Sequence, residues 1–268
     1  MAEGHGNPLL SCSELTKRFG GVVALNGLTM DILRDEVLGI IGPNGSGKTT
    51  FFNVITGIFP ATSGWVRYDG EVVTNAAPQL LHRKGIARTF QRSRLCLGLS
   101  IFDNLMIGNH TRLNQGYAFN LFQRRALRSE VEEQVEKCRE LVRIFDPDLV
   151  DRIHDLVGNQ PMIDRRRIEV CRALISGPKL LLLDEPSAGM TEWETRQLME
   201  NIIEVKRQFE GLSIVLIEHE MNVIERISDR CVVLNFGKKI CEGKYSEVIA
   251  NEQVQEAYLG SAPEALAS

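Results

Sequence analysis

Residues 37–49 read Val-Leu-Gly-Ile-Ile-Gly-Pro-Asn-Gly-Ser-Gly-Lys-Thr, and this stretch decides the fold. Its first five residues form an apolar run that predicts a buried strand. A helix is predicted after it, because Phe51, Val54 and Ile58 recur at helical spacing. The residues between, 42–49, fit the pattern G-x-x-x-x-G-K-[ST]. In the order strand, loop, helix, that pattern predicts a phosphate-binding loop.

The chemistry of phosphate binding explains these residue types. A phosphate chain needs several N–H donors that converge from one side, and glycines let the backbone curl and approach without a Cβ in the way. The following helix points its positive end at the anion. Lys48 is expected to reach the β- and γ-phosphates, and Thr49 to place its hydroxyl on Mg²⁺. The loop residues expected to bind nucleotide are Gly42, Pro43, Asn44, Gly45, Ser46, Gly47, Lys48, Thr49 and Thr50. An ordinary glycine-rich turn is the alternative.

The composition is that of an ordinary globular chain. At 268 residues the chain can bury a full core, and it suits one large domain or two linked subdomains. Its formal net charge of −4 argues against a general nucleic-acid-binding surface. The 6 cysteines are scattered and contain no CxxC pair, so we expect reduced thiols rather than a disulfide or zinc framework.

The sequence contains no stretch that predicts a membrane span or a targeting segment. No apolar run approaches the roughly 18–20 residues needed to cross a bilayer. Residues 1–8 lack the charged-then-apolar pattern of a signal peptide. We therefore expect the protein to stay in the cytoplasm and to meet a membrane only through a protein partner.

Alternating apolar and polar residues predict antiparallel strands early in the chain. Residues 9–16 and 28–32 alternate in this way, and residues 65–68 and 71–73 form a predicted hairpin. Phe19 lies in the turn between the first two of these strands. Such a ring can stack on adenine beside a phosphate site, or it can plug the core, and the spacing leaves both interpretations open.

Two adjacent acids follow the apolar run 180–183. Carboxylates at the end of a buried strand are costly unless they are paired or assigned to a cation, so we interpret Asp184 and Glu185 as functional. Asp184 is expected to hold Mg²⁺ through water. Glu185 is expected to orient or deprotonate an attacking water.

Two other predicted strands also lead to a polar side chain: His219 follows residues 213–217, and Gln91 follows residues 86–90. Open α/β sheets bind ligands at the carboxyl edge of their strands. His219 is therefore expected to contact the γ-phosphate, and Gln91 to contact Mg²⁺ or its water. The alternatives are a structural histidine and a solvated loop amide.

Helical patterns replace strand patterns after residue 91. Ser100 is expected to cap a short helix, residues 131–142 form the apolar stripe of a longer one, and residues 114–120 predict a loop. A helical insertion in an α/β core usually serves recognition, because it adds surface without altering the scaffold. We predict four segments: an antiparallel β subdomain with the phosphate-loop core (1–91), a helical subdomain (92–177), the second part of the core (178–260) and a frayed tail (261–268).

These motifs, in this order, resemble the ATP-binding subunit of ABC transporters over essentially the whole chain. Finer features resemble the subfamily that serves branched-chain amino acid importers: Lys17-Arg18-Phe19-Gly20-Gly21, Ala87-Arg88-Thr89-Phe90-Gln91, Arg166-Arg167-Ile168-Glu169, Ile217-Glu218-His219-Glu220-Met221 and Ala257-Tyr258-Leu259-Gly260. The resemblance implies an α/β fold, the P-loop NTPase of ABC ATPases. This fold has a mostly parallel core sheet, an antiparallel β subdomain and a helical insertion.

The resemblance also implies roles for single residues. Phe19 is the aromatic residue that stacks on adenine, and Gln91 belongs to a loop that senses Mg²⁺ and faces the membrane subunit. The catalytic residues by this likeness are Glu185, His219 and Gln91, and the Mg²⁺ ligands are Thr49, Gln91 and Asp184.

The implied assembly is a peripheral ATPase on the cytoplasmic face of the inner membrane. Its ligands are ATP and Mg²⁺. Its partners are a second ATP-binding subunit, transmembrane permease subunits and, indirectly, an extracytoplasmic solute-binding protein, while no nucleic acid is expected. A coupling helix of the permease lies between Gln91 and the helical insertion. The two ATPase subunits close on two ATPs and open after hydrolysis.

One segment departs from the family pattern. The signature, usually a form of Leu-Ser-Gly-Gly-Gln that binds the γ-phosphate of the other subunit, falls at residues 160–164. Pro161 has neither a hydroxyl nor an N–H, and Ile163 puts a branched side chain where close approach favours none. Asp164 adds an acid near an anion. The acid usual in the corner after Pro186 is replaced by Thr191, which is expected to weaken communication across the dimer.

We therefore hypothesise an asymmetric heterodimer, in which this chain supplies a competent phosphate loop, Glu185 and His219, and a partner supplies a good signature. A homodimer would have two faulty composite sites. Two alternatives are a regulatory subunit that hydrolyses little ATP and a soluble ABC ATPase acting on DNA or ribosomes. The second usually needs two cassettes in one chain or a long coiled coil, and this sequence has neither. A P-loop kinase is disfavoured because no acceptor site is recognisable.

Overall fold

The computed structural model describes residues 7–91, 93–110 and 124–259. The predicted loop at residues 114–120 and the predicted frayed tail from residue 261 lie outside the described residues. The chain divides into two compact units. Unit 1 contains the described chain up to Ile86, Lys179–Glu185 and the chain from Phe209 onward, and unit 2 contains Ala87–Pro178 and Pro186–Gln208.

The predicted strands are present, but the first two are longer than predicted, because β1 extends to Phe19 and β2 begins at Val22 rather than at residue 28. They are β1 (Leu10–Phe19), β2 (Val22–Ile32), β3 (Val37–Ile41), β4 (Ser63–Tyr68), β5 (Glu71–Val72), β6 (Ile86–Arg88), β7 (Leu180–Asp184), β8 (Ser213–Ile217), β9 (Arg230–Asn235) and β10 (Lys238–Gly243).

The helices follow the strands of unit 1 and dominate unit 2. They are α1 (Lys48–Ile55), α2 (Pro78–Arg83), α3 (Ile101–Asn109), α4 (Arg124–Phe145), α5 (Asp148–Asp151), α6 (Met162–Leu174), α7 (Glu192–Gln208), α8 (Met221–Ile227), α9 (Tyr245–Ile249) and α10 (Glu252–Leu259), with a 3-10 turn at Val157–Asn159. The division into units differs from the predicted segments, because unit 2 begins at Ala87 rather than residue 92 and also contains α7.

The strands form two sheets in the described part of the chain. The four-stranded sheet has the order β2-β1-β4-β5 and is antiparallel. The six-stranded sheet has the order β10-β9-β3-β8-β7-β6. In it β3 pairs in parallel with β8 and β9, β7 pairs in parallel with β8, and β10 is antiparallel to β9. The predicted fold class, with a mostly parallel core sheet and a separate antiparallel sheet, is confirmed.

The central strands are buried along their whole length. Every residue of β3, β7 and β8 is buried, which explains why their sequences are nearly continuous apolar runs rather than alternating ones. From α1, Phe51 and Phe52 enter the same hydrophobic core as Leu38, Ile40 and Leu182. The core of unit 1 therefore holds the strand and the helix that flank the phosphate-loop sequence.

In unit 2 the predicted cap is confirmed, whereas the predicted apolar stripe is confirmed only in its second half, because Val131 is exposed. Ser100 is the N-cap of α3, and its hydroxyl accepts a hydrogen bond from the backbone N–H of Asp103 at 3.0 Å. Cys138 and Val142 of α4 are buried, as the predicted stripe requires. Unit 2 thus has its own helical core.

The strand before Gln91 is shorter than predicted. The pattern predicts a strand through residue 90, whereas β6 ends at Arg88. The guanidinium carbons of Arg88 and Arg94 lie 5.1 and 4.3 Å from the centre of the Phe90 ring. These cation–π contacts give Phe90 side-chain partners outside the sheet. Phe90 therefore lies after the end of β6, although aromatic residues favour strands.

Candidate active site

The parallel register of unit 1 brings the functional strand ends to one edge. Ile217, the last residue of β8, is in register with Ile40 of β3 and with Asp184 of β7. The segments that follow these strands therefore leave the sheet at the same level. The predicted meeting of the phosphate loop with Glu185 and His219 at the carboxyl edge is confirmed as a matter of topology.

The backbone of the phosphate loop needs glycine at both ends. Gly42 has a φ of +146°, and a Cβ added there would lie 2.1 Å from the backbone oxygen of Leu234. Gly47 has a φ of +106°, and a Cβ there would lie 2.6 Å from the backbone oxygen of Ala24. L-residues rarely adopt this backbone region, and here the neighbouring main chain also excludes a side chain. The glycines of the motif are therefore required by packing in this chain.

A turn that sequence reasoning missed supports the loop from behind. The backbone N–H of Gly237, in the turn between β9 and β10, donates to the carbonyl oxygen of Ser46 at 2.9 Å. The carbonyl oxygen of Gly237 accepts from the N–H of Asn26 at 2.9 Å. The turn thus links the phosphate loop to β2. The sequence shows a strand, a turn and a strand at this point, but no local pattern says what the turn contacts.

Lys48 is the first residue of α1, and its side chain is folded against the loop. Its Nζ donates to the carbonyl oxygens of Gly42 at 2.6 Å and Pro43 at 3.1 Å. Burial lowers the pKa of Lys48, and the negative charges of Glu185 and Asp184 oppose that shift. The electrostatic coupling places the ammonium group in the field of the two acids, where a polyphosphate would add further negative charge.

The paired acids have different environments. Asp184 is the last residue of β7 and is only 1% exposed. Glu185 follows with a φ of +49°, and its backbone N–H donates to the carbonyl oxygen of Ile217 at 2.9 Å. A left-handed Glu is uncommon and costs of order 1–3 kcal/mol, which the surrounding structure must offset. The turn at Glu185 breaks the β alternation and moves its side chain out of the strand.

His219 and Glu185 are brought into direct contact. His219 Nε2 lies 2.7 Å from Glu185 Oε1. The side chain of Glu185 is 13% exposed and that of His219 is 45% exposed, so the pair opens to solvent on the histidine side. This is the spacing of a general base and the group that orients it. Glu185 and His219, which were predicted separately from two strand ends, therefore form a contacting pair.

Phe19 is partly exposed at the end of β1. Its ring packs edge-to-face on Phe59 with centroids 5.2 Å apart, and Lys17 Nζ lies 4.8 Å from its centroid. Phe19 pairs with Val22, two residues before Ala24, which contacts the phosphate loop. At about 3.4 Å per residue, this places the start of the turn about 7 Å along the strand from the loop.

Gln91 lies in unit 2. Its backbone carbonyl accepts a hydrogen bond from Arg166 Nη2 at 3.3 Å, and its side chain belongs to an exposed residue. Arg166 also donates to the carbonyl oxygen of Ala188 at 3.5 Å and pairs with Glu169 at 3.1 Å. The Arg-Arg-Ile-Glu motif thus holds the segment around Gln91 through a cation, a role that the motif's sequence did not reveal.

The predicted signature segment forms the start of α6 in unit 2. Pro161 is the N-cap and makes no side-chain cap hydrogen bond. Met162 is 55% exposed, whereas Ile163 is buried. The branched side chain of Ile163 therefore fills part of the core of unit 2.

Asp164 does not stand as an isolated acid. Its carboxylate pairs with Arg167 Nη1 at 3.1 Å and with Arg152 Nη2 at 3.4 Å. Arg167 Nη1 also pairs with Asp146 at 2.8 Å, and Arg152 Nη1 donates to Gln160 at 2.9 Å. The prediction that Asp164 adds a negative charge near an anion is wrong in this form, because two arginines compensate its charge within unit 2.

The donor set of unit 1 suits a hard cation that brings most of its own ligands. In residues 7–91, 93–110 and 124–259, no group of three or more His, Cys, Asp and Glu side chains is arranged to hold a metal ion. Mg²⁺ needs no such group, because it keeps several waters and binds through one or two carboxylates and phosphate oxygens. Asp184 and the hydroxyl of Thr49, an exposed residue in the first turn of α1, fit that demand.

No helix that the structure describes could span a bilayer.

Two family models match this chain. A model described as "ABC transporter" matches residues 25–188. A model described as "Branched-chain amino acid ATP-binding cassette transporter" matches residues 238–264, which include β10, α9 and α10. The first match includes residues of both units.

Curated relatives and a solved structure agree with these matches. The chain is 35% identical to the high-affinity branched-chain amino acid transport ATP-binding protein BraF of Pseudomonas aeruginosa, over 95% of this chain and 99% of the relative. It is 35% identical to the protein LivG of Escherichia coli, which has the same description, over 95% of this chain and 99% of the relative. The fold is similar to the ADP conformation of an ATP-binding cassette of an ABC transporter, with a TM-score of 0.80, 28% identity and coverage of 95% of this chain and 100% of that one.

Proposed function

This chain belongs to the ABC transporter ATP-binding family, and we propose that it binds and hydrolyses ATP to drive an importer of branched-chain or related amino acids. The observation that carries the proposal is the 2.7 Å contact between His219 and Glu185 at the strand edge that also holds the phosphate loop. The solute is supported by the names of the relatives and by the second family match.

Nucleotide binding rests on the phosphate loop and α1. The loop's backbone N–H groups and the positive end of α1 hold the phosphate chain, and Lys48 moves from the carbonyls of Gly42 and Pro43 to the phosphate oxygens. Phe19 stacks on the adenine ring, since it is partly exposed and pairs with Val22 of β2, two residues before the contact of that strand with the loop. Burial of Lys48 strengthens its attraction for an anion, because fewer waters screen the charge.

Hydrolysis rests on Glu185 and His219. Glu185 accepts a proton from the attacking water while the oxygen of that water bonds to the γ-phosphorus. The bond from the γ-phosphorus to the bridging oxygen then breaks, which releases ADP. His219 holds the Glu185 carboxylate through Nε2 before nucleotide binds, and the same N–H then turns to a γ-phosphate oxygen as charge develops. The left-handed backbone at Glu185 turns the carboxylate out of the strand toward the water.

Mg²⁺ would be held by the hydroxyl of Thr49 and by Asp184 through water. When bound, the cation neutralises charge on the β- and γ-phosphates. Thr49 and Asp184 are of the hard oxygen type that this ion selects, and the burial of Asp184 favours a cation near its carboxylate.

The working assembly is an asymmetric dimer on permease subunits at the cytoplasmic face of the membrane. A second ATPase subunit supplies the signature that completes the site built from Lys48, Glu185 and His219. The opposite site, which uses residues 160–164 of this chain, binds ATP and hydrolyses it poorly, because Ile163 occupies the position of close approach. An external solute-binding protein delivers the amino acid to the permease.

A regulatory subunit with little hydrolysis is the second candidate. Pro161 and Ile163 favour it, because Pro161 has neither a hydroxyl nor an N–H and the branched side chain of Ile163 hinders close approach to its amide. Intact Glu185 and His219 favour the first candidate. Turnover in the assembled complex distinguishes the two.

The test compares ATP hydrolysis by this chain alone, by the complex with the ATPase subunit that co-purifies with it, and by the complex carrying Glu185→Gln. Hydrolysis only in the complex, reduced by the substitution to a small fraction, supports the proposal. Glu210→Gln, at an exposed position outside the site, is the control. Hydrolysis that persists unchanged with Glu185→Gln would assign the working site to the partner and favour the regulatory role.

A further inference from the structure

A buried lysine lies beside the ring of Phe19. Lys17 is on β1, two residues before Phe19, and is only 9% exposed. Its Nζ donates a hydrogen bond to the carbonyl oxygen of Pro60 at 2.9 Å. The same nitrogen lies over two aromatic rings, 4.8 Å from the centre of Phe19 and 5.7 Å from the centre of Phe59. Because a buried ammonium group is costly unless its charge is compensated, these partners hold the charge at this place.

The segment that contacts this lysine, residues 59–62, is fixed on two sides. The backbone N–H of Phe59 donates to the carbonyl oxygen of Asn53, in the helix that begins at the phosphate loop, at 3.1 Å. The backbone N–H of Arg18, on β1, donates to Thr62 Oγ1 at 3.0 Å. The surroundings of the ammonium group are therefore tied both to α1 and to the strand that contains Phe19.

The distances show which side of the Phe19 ring remains open. Phe19 and Phe59 pack edge-to-face with centroids 5.2 Å apart. The two ring centres and Lys17 Nζ thus form a nearly equilateral triangle. Seen from the centre of the Phe19 ring, Lys17 and Phe59 therefore lie less than a right angle apart, on one side of the ring. Phe19 is 42% exposed, so a base would stack on the side away from Lys17.

A cation on one side of an aromatic ring changes what the other side binds. The faces of the phenylalanine ring are negative, which is why the ammonium group is attracted to one of them. The charge draws the electrons of the ring toward itself. The open side of Phe19 therefore becomes less negative, and it repels the electron-rich face of a purine less strongly.

We propose that Lys17 is a positioning residue for the nucleobase, whose ammonium group holds the Phe19 ring from one side and prepares the opposite side for adenine. The inference rests on the proposed ATP-binding function and deepens the part that assigns adenine stacking to Phe19. It predicts that loss of the lysine charge weakens the binding of ligands that have a base and spares ligands that have only phosphates.

The experiment measures the affinity of the full chain for ADP and for inorganic tripolyphosphate, which has phosphates but no base. Both displace mant-ADP, a fluorescent form of ADP, so that weak binding is also measured. Lys17→Met is expected to weaken ADP binding about 2- to 5-fold, the range of one cation–π contact, and to leave tripolyphosphate binding unchanged. Lys17→Arg keeps a cation beside the ring, so we expect it to retain the ADP affinity of wild type.

Three further variants complete the design. Lys84→Met is the matched control, because Lys84 is another lysine of unit 1 and contacts Glu71 at 2.6 Å. Lys17→Gln is a second neutral variant that keeps an N–H donor, so the test still works if Lys17→Met does not fold. Phe19→Ala tests stacking itself, and we expect it to weaken ADP binding about 5-fold or more without changing tripolyphosphate binding.

Each outcome decides a separate question. A wild-type chain that binds neither ligand would contradict the ATP-binding function, and unchanged ADP binding in Phe19→Ala would contradict adenine stacking. Unchanged ADP affinity in the neutral variants of Lys17, or equal losses for ADP and tripolyphosphate, would overturn the role of Lys17 alone. An equal loss of ADP affinity in Lys17→Arg would assign the effect to the shape of the lysine rather than to its charge, which would also overturn the proposal.

Discussion

Helices α1 and α6 both begin at segments that the sequence relates to phosphate binding, yet they present opposite chemistry. The N-cap of α1 is Gly47, in the left-handed region, and its first turn contains no acid. The N-cap of α6 is Pro161, and its first turn contains Asp164. Both helices have a positive N-terminal end, so the comparison shows that this dipole does not make an anion site by itself. The left-handed glycine at the N-cap of α1 and the cation Lys48 in its first turn distinguish the two.

The largest expected effect tests whether the charges at the start of α6 are structural. Arg167→Met leaves the carboxylates of Asp164 and Asp146 without this partner, and we expect the free energy of unfolding to fall by about 3–5 kcal/mol. Urea denaturation measures the loss. Arg196→Met is the control, because Arg196 and Glu192 form an exposed pair worth less than about 1 kcal/mol. Equal, small losses would mean that Asp164 is available to act on an anion after all.

The second effect tests the cation of α1. Lys48→Ala removes the ammonium group, and we expect ATP hydrolysis by the assembled complex to fall about 10²- to 10³-fold, as when one preorganised donor to a developing charge is removed. The melting temperature is expected to change little, because the hydrogen bonds of Lys48 to Gly42 and Pro43 stay within its own loop. Lys84→Ala, at a surface pair with Glu71, is the control. Hydrolysis retained in Lys48→Ala would mean that the ammonium group at the start of α1 is not needed, so it would not account for the difference between α1 and α6.

The third effect tests the space that the phosphate loop requires. Gly42→Ala and Gly211→Ala both place a Cβ at a positive φ, but only the first meets backbone, 2.1 Å from the oxygen of Leu234, while nothing lies within 4 Å of the second. We expect Gly42→Ala to lower the free energy of unfolding by about 1–3 kcal/mol more than Gly211→Ala does. ADP affinity should be lost in the first variant alone. Equal stabilities would show that the loop relaxes around a side chain.

These contrasts also show what the sequence could and could not predict. The strands, the loop and the acids at strand ends follow from local patterns, because an apolar run, a glycine spacing and a polar terminus are each read within about ten residues. The hydrogen bond from Gly237 to Ser46 joins residues far apart in the chain, and no local pattern encodes it. The premature end of β6 has the same cause, since the partners of Phe90 are side chains rather than a strand.

The surroundings of Asp164 differ from those that the motif predicts. Its place in the motif predicts an acid that opposes an anion, whereas the structure pairs it with Arg152 and Arg167. An aligned position reports the chemistry of the family and says nothing about side chains that compensate it elsewhere. Ile163 is buried in unit 2, so any effect on an approaching phosphate would come from its Cβ and backbone rather than from the end of its side chain.

The fourth effect sharpens the role of Ile163. In the assembled complex, Ile163→Gly removes the side chain at the position of close approach, and we expect hydrolysis to rise about 2- to 12-fold, as for one regained backbone hydrogen bond to phosphate. Ile163→Ala is the control, because it removes most of the volume but keeps a Cβ. Both variants lose stability, since the side chain is buried. A rise in both would make bulk, and not the Cβ, the obstacle; a rise in neither would leave the hypothesis of an impaired second site without support.

The smallest effect concerns the pH dependence of stability and contrasts Lys48 with Arg167. Burial lowers the pKa of Lys48 in the folded chain, so between that value and its ordinary 10.5 the unfolded chain binds more protons than the folded one. The free energy of unfolding therefore rises with pH across this window. Lys48→Met has no proton to lose, so we expect it to be slightly more stable than wild type at pH ~7 and to lose that advantage as the pH approaches ~10.5. Urea denaturation of both proteins across this range measures the difference. Arg167→Met should be less stable throughout, because Arg167 is held by carboxylates. A Lys48→Met chain that is also less stable at every pH would mean that the hydrogen bonds of Lys48 to Gly42 and Pro43 outweigh the cost of its burial. Lys48 of α1 and Arg167 of α6 would then both be stabilised by their surroundings.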